Sequence, residues 1–200
     1  MDDSHNNIEQ ERRQRYLVRA MELYGSQPFE TITNELVAQR LGLSKSEFEA
    51  LFPSLSDLYF EGVKMIKGEL LSIMTFPENK NFEQGLGIVV RDFMTYVAER
   101  PELFQVLLSS GFRFEDRNNV HSLVSETREE IVSRISSKMG LPKDLPTVRL
   151  LVQGSIGFVE ATTLAWMKQK DLHLEQVIQL VMGALKTSLV PLGNMIPKGP

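Results

Sequence analysis

Residues 33–52, TNELVAQRLGLSKSEFEALF, contain two short helical patterns joined by a tight turn. Thr33 can cap the first helix, because its hydroxyl accepts hydrogen bonds from the unpaired N–H groups of a first turn. Gly42 ends this helix, since glycine adopts the left-handed conformation at helix ends at little cost. Ser44 with Glu47 three residues later forms a capping box that starts a second helix. This order of signals predicts a helix-turn-helix.

The apolar residues of this stretch fall on one side of each predicted helix. They are Leu36, Val37 and Leu41 in the first helix and Phe48, Leu51 and Phe52 in the second, with Leu43 at the corner between them. The second helix therefore turns its polar residues outward. In a DNA-binding protein, side chains in this position meet the base edges of the major groove.

Helical spacing also dominates the rest of the chain, and no β-hairpin signal competes with it. A first helix is predicted from Glu9 to about Tyr24, after eight polar residues that we expect to be frayed. Asn81 is placed to cap a later helix, and Pro101 stands at the first-turn position that proline favours. The later helices are expected at about 56–74, 82–99, 101–108, 120–139, 145–170 and 174–192. The sequence thus predicts an all-α fold of about nine helices.

Composition excludes several classes of function. The 200 residues contain no cysteine, which rules out disulfides, thiolate metal sites and cysteine nucleophiles. His5, His121 and His173 lie too far apart to have metal-ligand spacing. Phosphate loops, nucleophile elbows and paired catalytic carboxylates are also missing from the sequence. We therefore expect no enzyme activity, no metal and no cofactor.

The cellular location follows from hydropathy. No apolar run approaches the ~20 residues that a membrane span needs. The first fifteen residues lack the apolar block of a signal peptide. We expect a cytoplasmic protein with no membrane partner.

Several motifs together resemble the TetR family of bacterial transcriptional regulators. Residues that match the family's N-terminal pattern in order and spacing are Thr33, Leu36, Gly42, Leu43, Ser44, Lys45, Phe48, Phe52, Pro53, Ser54 and Leu58. Residues 154–166 are similar to the family's penultimate helix, and 174–185 to its last helix. The resemblance covers essentially the whole chain. It implies a DNA-binding domain in residues 1–54 and a ligand-binding and dimerisation domain in residues 55–200.

The resemblance further implies a repressor that binds double-stranded operator DNA as a homodimer and is released by a small, hydrophobic effector. Expected DNA contacts are Arg12, Arg13, Thr33, Ser44, Lys45, Ser46, Glu47 and Glu49. Glu47 or Glu49 can accept a hydrogen bond from cytosine N4. Both glutamates can instead be capping or solvated residues, and for Glu47 the capping box favours that role.

Charge leaves a second interpretation open. Residues 1–63 contain eleven acidic and six basic side chains, a net charge of −5. Glu49 stands where the family commonly has a neutral or aromatic residue. Because phosphate neutralisation supplies most non-specific affinity for DNA, this balance opposes DNA binding unless the basic groups share one face. The alternative is a TetR-like dimer whose acidic helix-turn-helix binds a protein partner.

Small residues follow one face of the penultimate predicted helix. Gly154, Gly157, Ala161 and Ala165 lie at helical spacing, which permits close approach of another helix. The last helix offers a comparable patch of Gly183, Ala184 and Thr187. We predict that these residues form a two-fold dimer interface. Packing within one chain is the alternative.

The effector pocket is expected among large apolar residues of the central helices. Its predicted members are Phe93, Phe104, Leu107, Phe112, Phe158, Glu160 and Trp166. Pockets are mostly apolar and often lie between the helices of bundles. Aromatic residues at helical spacing more often belong to an ordinary core, which is the alternative. Glu160, a charge within an uncharged run, can orient a ligand, face solvent or face a partner subunit.

Overall fold

The computed structural model describes the backbone of residues 2–109, 117–169, 171–189 and 191. Its regular elements over these residues are all helical, which confirms the predicted all-α fold. The helices are α1 (Asp2–Ser26), α2 (Asn34–Leu41), α3 (Lys45–Leu51), α4 (Leu55–Ile73), α5 (Phe82–Glu99), α6 (Pro101–Ser109), α7 (Arg117–Met139), α8 (Pro146–Lys168) and α9 (Leu174–Leu189). A short 3-10 turn, Phe29–Thr31, precedes α2.

Helix α1 begins earlier than the sequence predicts. The frayed segment expected before Glu9 is helical from Asp2 onward. This prediction was wrong because helical periodicity becomes visible only where a helix has a buried face. Ile8, the one apolar residue between Asp2 and Tyr16, is 58% exposed. The start of α1 therefore carries no apolar pattern.

Contacts divide the chain into two compact units. The first contains residues 1–69 and 100–124, and the second contains residues 70–99 and 125–200. The first unit thus includes α1 to α3, most of α4, and α6. The predicted domain boundary after residue 54 falls in the turn before α4 and remains a prediction.

The core of the first unit is apolar and aromatic. Phe48 of α3 and Leu58 of α4 are fully buried, and Phe52 is 1% exposed. The rings of Phe48 and Phe52 lie 5.7 Å apart, and the ring of Tyr24 meets that of Tyr59 edge to face at 4.9 Å. Burial raises the pKa of Tyr24. The first ring pair closes the end of α3, and the second joins α1 to α4.

A glycine sets the closest contact between α1 and α6. A Cβ atom added to Gly25 would lie 2.2 Å from the backbone oxygen of Glu102. No side chain fits in that space, so the two backbones approach each other directly. Helix α6 is therefore packed on the same α1 that supports the helix-turn-helix.

In the second unit, α9 packs against both α5 and α8. The inner side of α8 is marked by Val148, Val152, Ser155 and Thr163, which are buried. Thr163 donates a hydrogen bond to the sulfur of Met94 at 3.5 Å. Helix α7 ends at Gly140, whose φ of 69° is left-handed. Near this end, Lys138 donates to the Pro77 carbonyl at 2.7 Å.

Helix α8 has an unusual surface for a helix of a compact unit. By length and composition alone it could cross a membrane, yet only 17% of its most apolar window is buried. One such helix among the described residues is weak evidence for a membrane span. The sequence prediction excluded a span because no apolar run approaches the ~20 residues that a membrane span needs. The exposed apolar side of α8 therefore needs another explanation.

Candidate DNA-binding surface

The turn between α2 and α3 is held by the capping groups that the sequence predicts. The Thr33 hydroxyl accepts a hydrogen bond from the Leu36 N–H at 3.2 Å. Gly42 adopts φ 73° and ψ 31°, and its N–H bonds back to the carbonyls of Ala38 and Gln39. The Leu43 N–H then bonds to the Ala38 carbonyl at 2.9 Å. Because a left-handed residue closes α2, the chain can turn at once into α3.

The start of α3 carries a complete capping box. The Glu47 N–H donates to the Ser44 hydroxyl at 3.3 Å, and the Ser44 N–H donates to the Glu47 carboxylate at 2.8 Å. The Ser44 hydroxyl also donates to this carboxylate at 2.6 Å. Hydrogen bonds from the Ser44 hydroxyl and then from its backbone lower the pKa of Glu47. The capping role that the sequence favoured for Glu47 is therefore present.

Lys45 stands between two glutamates on the exposed side of the helix-turn-helix. Its ammonium nitrogen lies 3.2 Å from a Glu35 carboxylate oxygen and 3.9 Å from one of Glu49. All three side chains are more than half exposed. The hydrogen bond that Lys45 donates to Glu35 and the charges of both glutamates raise the pKa of Lys45. Exposed pairs of this kind are weak and screened by salt, so Lys45 can exchange partners.

Two arginines of α1 have different surroundings. Arg12 is exposed, donates to the Tyr16 hydroxyl at 2.7 Å, and lies over the Tyr16 ring. Arg13 is partly buried and binds both carboxylate oxygens of Glu61 in α4. It also donates to the Leu51 carbonyl at 3.2 Å. Arg12 is thus exposed with its hydrogen bond on its own helix, whereas Arg13 is bound by acceptors of α3 and α4.

The helix-turn-helix brings most predicted DNA contacts onto one exposed surface. Thr33, Ser44, Lys45, Ser46, Glu47 and Glu49 are all exposed along α2 and α3. The predicted site did not include Glu35, although it bonds to Lys45. Glu61 was also outside it, although it binds Arg13. The sequence could have indicated Glu35, because an acidic residue in the first turn of a helix is favourable and faces outward.

The predicted dimer residues lie on the outer side of their helices. Gly154, Gly157, Ala161, Ala165, Gly183 and Thr187 are exposed, and Ala184 is half-buried. A Cβ atom added to Gly154, Gly157 or Gly183 would meet nothing within 4 Å. The large residues beside them are also open to solvent. Leu150 is 76% exposed, Leu180 55% and Phe158 38%. Outward-facing α8 and α9 residues thus form a surface, named here the apolar face, of small and large apolar residues.

The predicted pocket residues have diverse surroundings. Phe93 and Phe104 are buried, Leu107 is half-buried, and Phe158 belongs to the apolar face. Phe112 lies outside the described residues. Trp166 donates its ring N–H to the Leu172 carbonyl at 3.0 Å. Glu160 pairs with Arg128 of α7 at 2.8 Å, which neutralises the charge that singled it out in the sequence.

Within the described ranges, no group of three or more His, Asp or Glu side chains is placed to hold a metal ion. The polar groups of the helix-turn-helix are instead engaged in caps and exposed ion pairs.

The fold and this surface define an all-helical protein with an N-terminal helix-turn-helix. The family model described as "Tetracyclin repressor-like, C-terminal domain" matches residues 82–186, which is more than half of the chain. The chain therefore belongs to the TetR family of transcriptional regulators. No curated protein sequence matches it.

Solved structures share the fold at low sequence identity. A TetR-family regulator from Streptomyces coelicolor is 21% identical with a TM-score of 0.71, covering 88% of this chain and 82% of that one. A TetR-like regulator from Rhodococcus sp. RHA1 is 14% identical with a TM-score of 0.73, covering 88% and 94%. The regulator FadR from Bacillus subtilis, solved with stearoyl-CoA, is 16% identical with a TM-score of 0.68, covering 88% and 99%.

Proposed function

We propose that this protein is a cytoplasmic transcriptional repressor that binds operator DNA through α3. The observation that carries this proposal is the outward surface of α2 and α3. Its backbone is fixed by Thr33, Gly42 and the Ser44 capping box, while its polar side chains remain exposed. A rigid backbone that presents mobile polar groups suits insertion into a major groove.

Base and backbone contacts divide between two sets of residues. Lys45, Ser46 and Glu49 are proposed to face base edges, because they lie on the exposed side of α3. Arg12 is proposed to contact phosphate, since its guanidinium is exposed and its hydrogen bond is to Tyr16 on its own helix. Phosphate would compete with Glu35 and Glu49 for Lys45. The acidic surroundings of Lys45 therefore predict moderate affinity and a strong dependence on salt.

The apolar face supports a homodimer. Exposed Leu150, Phe158 and Leu180 beside exposed glycines would leave a large apolar surface in water if the chain were monomeric. Small residues permit close helix packing, and a two-fold axis buries the same face of both copies. A dimer also positions two recognition helices for successive major grooves, ~34–36 Å apart. A second copy of the chain on the apolar face explains the low burial of α8 without a membrane.

We also propose that a small apolar effector controls DNA binding, by changing the separation of the two recognition helices. Family membership supports this proposal, and apolar residues of the C-terminal region such as Phe93 supply suitable contacts. Stearoyl-CoA, the ligand solved with FadR, is a reasonable first compound to test. A rise of several degrees in melting temperature together with release from DNA is the expected result. A series of acyl-CoA chain lengths without either effect would refute an acyl ligand.

A DNA titration at two salt concentrations tests the central proposal. Duplexes tiled across the protein's own promoter region are titrated at low and physiological salt, with fluorescence anisotropy as the readout. We expect sequence-selective binding that weakens steeply with salt. Arg12→Ala and Lys45→Ala should each weaken binding, whereas Lys143→Ala, an exposed lysine of the second unit, should not. If no duplex binds even at low salt, the DNA proposal fails and a protein partner for the acidic surface becomes the better explanation.

A further inference from the structure

Arg13 connects three helices of the first unit. It starts on α1, binds Glu61 on α4, and donates to the carbonyl of Leu51, the last residue of α3. Its guanidinium also lies over the ring of Phe52, 4.8 Å from the centroid. Each of the three guanidinium nitrogens therefore has a protein acceptor.

The hydrogen bond from Arg13 to Leu51 satisfies a carbonyl at the end of a short helix. Helix α3 has seven residues, and the last carbonyls of a helix lack partners within it. A cation at this end also interacts favourably with the helix dipole. Phe52, which follows Leu51, is 1% exposed and anchors the chain after α3 from the inside. Arg13 covers the same point from the outside.

The pair with Glu61 holds the guanidinium in this orientation. The Arg13 nitrogens lie 2.8 to 3.0 Å from the two carboxylate oxygens, which is the two-point geometry that an arginine fork forms with a carboxylate. Its partner carboxylate stands on α4, 48 positions further along the chain. A phosphate group would have to displace both Glu61 and the Leu51 carbonyl to bind Arg13 with the same donors.

We propose that Arg13 is a positioning residue for the recognition helix and not a phosphate contact. It sets the angle of α3 by joining the end of that helix to α1 and α4. The neighbouring Arg12 is exposed, and its hydrogen bond and ring contact both involve Tyr16 of its own helix, while the charge of Glu47 in α3 also acts on it. Arg12 serves as the matched phosphate-contact residue. The proposal deepens the DNA-binding function proposed above, on which its second readout rests.

The first readout needs no DNA. Hydrogen exchange of the full-length protein is followed by mass spectrometry for Arg13→Lys, Glu61→Gln and Arg12→Ala. Lysine keeps the charge but lacks the planar fork, so it cannot bind Glu61 and Leu51 together. We expect exchange of the α3 amides to rise about tenfold or more in Arg13→Lys and Glu61→Gln, and to stay unchanged in Arg12→Ala. Exchange in residues 17–24 of α1 and in α9 should stay unchanged in all three variants.

Each exchange result has a defined meaning. Faster exchange confined to α3 supports the positioning role. Equal acceleration in α1 and α3 would show a general structural role and overturn the proposal. Unchanged α3 exchange in Arg13→Lys would overturn it as well. Since free protein is used, these outcomes hold even if the protein binds no DNA, which would refute the proposed function alone.

The second readout is the salt dependence of operator binding. Loss of one phosphate contact lowers the slope of log affinity against log salt by about 0.9. We expect this change for Arg12→Ala. Arg13→Lys and Glu61→Gln should lower affinity roughly tenfold with the wild-type slope. Two results would show instead that Arg13 binds phosphate. One is wild-type affinity in Arg13→Lys. The other is a slope in a further variant, Arg13→Ala, that is reduced as much as in Arg12→Ala.

Discussion

Two exposed surfaces of this protein differ in polarity, and therefore in how they interact with water. The surface of α2 and α3 is polar, and its charged groups already have partners within a few ångströms, as Lys45 has in Glu35 and Glu49. The apolar face of α8 and α9 leaves Leu150 76% exposed and Leu180 55% exposed. The first surface is stable when exposed, while the second gains stability only when covered.

This difference separates two kinds of recognition. A surface with exchangeable ion pairs can bind and release a charged partner as conditions change, because water and salt replace lost contacts. A surface of glycines and leucines has no ion pairs to give up when it is covered. Such a surface favours a permanent interface with a second copy of the chain. A reversible DNA contact and a lasting dimer contact are therefore expected at different ends of the chain.

The largest expected effect comes from adding a charge to the apolar face. Gly157→Arg places a long cation where the proposed partner helix approaches, and an unpaired charge in an interface is strongly unfavourable. We expect the dissociation constant of the dimer to rise at least about 100-fold. Sedimentation velocity over a concentration series measures the change.

A glycine of the other unit is the matched control for this experiment. Gly68 is exposed in α4, and an added Cβ atom would meet nothing within 4 Å there, as at Gly157. Gly68→Arg should leave the dimer intact. Equal sedimentation of the Gly157→Arg variant and the wild type would mean that the apolar face is not the interface.

The second prediction concerns the backbone conformation of the turn between α2 and α3. Gly42 has a φ of +73°, so alanine at this position should lower the free energy of unfolding by about 1–2 kcal/mol. Gly68→Ala, in an ordinary helical position of the same unit, should raise it by about 0.5–1 kcal/mol. Urea unfolding followed by circular dichroism compares the two variants. Effects of the same sign would contradict the argument from backbone conformation.

A smaller effect is expected from the acidic partners of Lys45. In the double variant Glu35→Gln with Glu49→Gln, two negative charges are removed and Lys45 is released, which should raise affinity for DNA of arbitrary sequence roughly 3- to 10-fold at low salt. Anisotropy titrations with a scrambled duplex measure this gain. An unchanged affinity would indicate that α3 does not approach phosphate. Glu22→Gln, next to Arg40 away from Lys45, is the control.

The smallest predicted effect is a dependence on pH at the capping box. The pKa of Glu47 is lowered in the folded protein, so its contribution to stability is present above the unfolded pKa, about 4.3, and is lost as pH falls through the folded value. Glutamine keeps the capping pattern but does not titrate. The difference in urea midpoint between wild type and Glu47→Gln should be largest near pH 7 and should shrink as the pH falls below about 4.3. A constant difference would exclude this role for the Glu47 charge.

The parts of the fold that local sequence determines were predictable. Thr33, Gly42 and Ser44 act on neighbours within five residues, so their hydrogen bonds could be predicted from spacing alone. Asn81 also caps α5 as predicted, with its side chain accepting from the Gln84 N–H at 2.9 Å. Such short-range bonds depend little on how the helices pack.

The contacts that were missed join residues distant in sequence. The bonds from Arg13 to Glu61 span 48 positions, and nothing in either local pattern indicates the other. Pairing of Glu160 with Arg128, 32 positions earlier, was likewise invisible because it depends on the packing of α7 against α8. Sequence patterns therefore indicated which residues face outward better than which partners they find.

Gly25 shows why exposure alone is a poor guide to which substitutions this chain tolerates. It is only half-buried, yet its missing side chain is what admits the Glu102 backbone, so every other residue would push α1 and α6 apart. In a complete substitution scan, position 25 should be as intolerant as the buried core. Position 68 should accept most residues. Position 154 is equally open within one chain. It should tolerate as few substitutions as position 25 only when the scan selects for the assembled dimer.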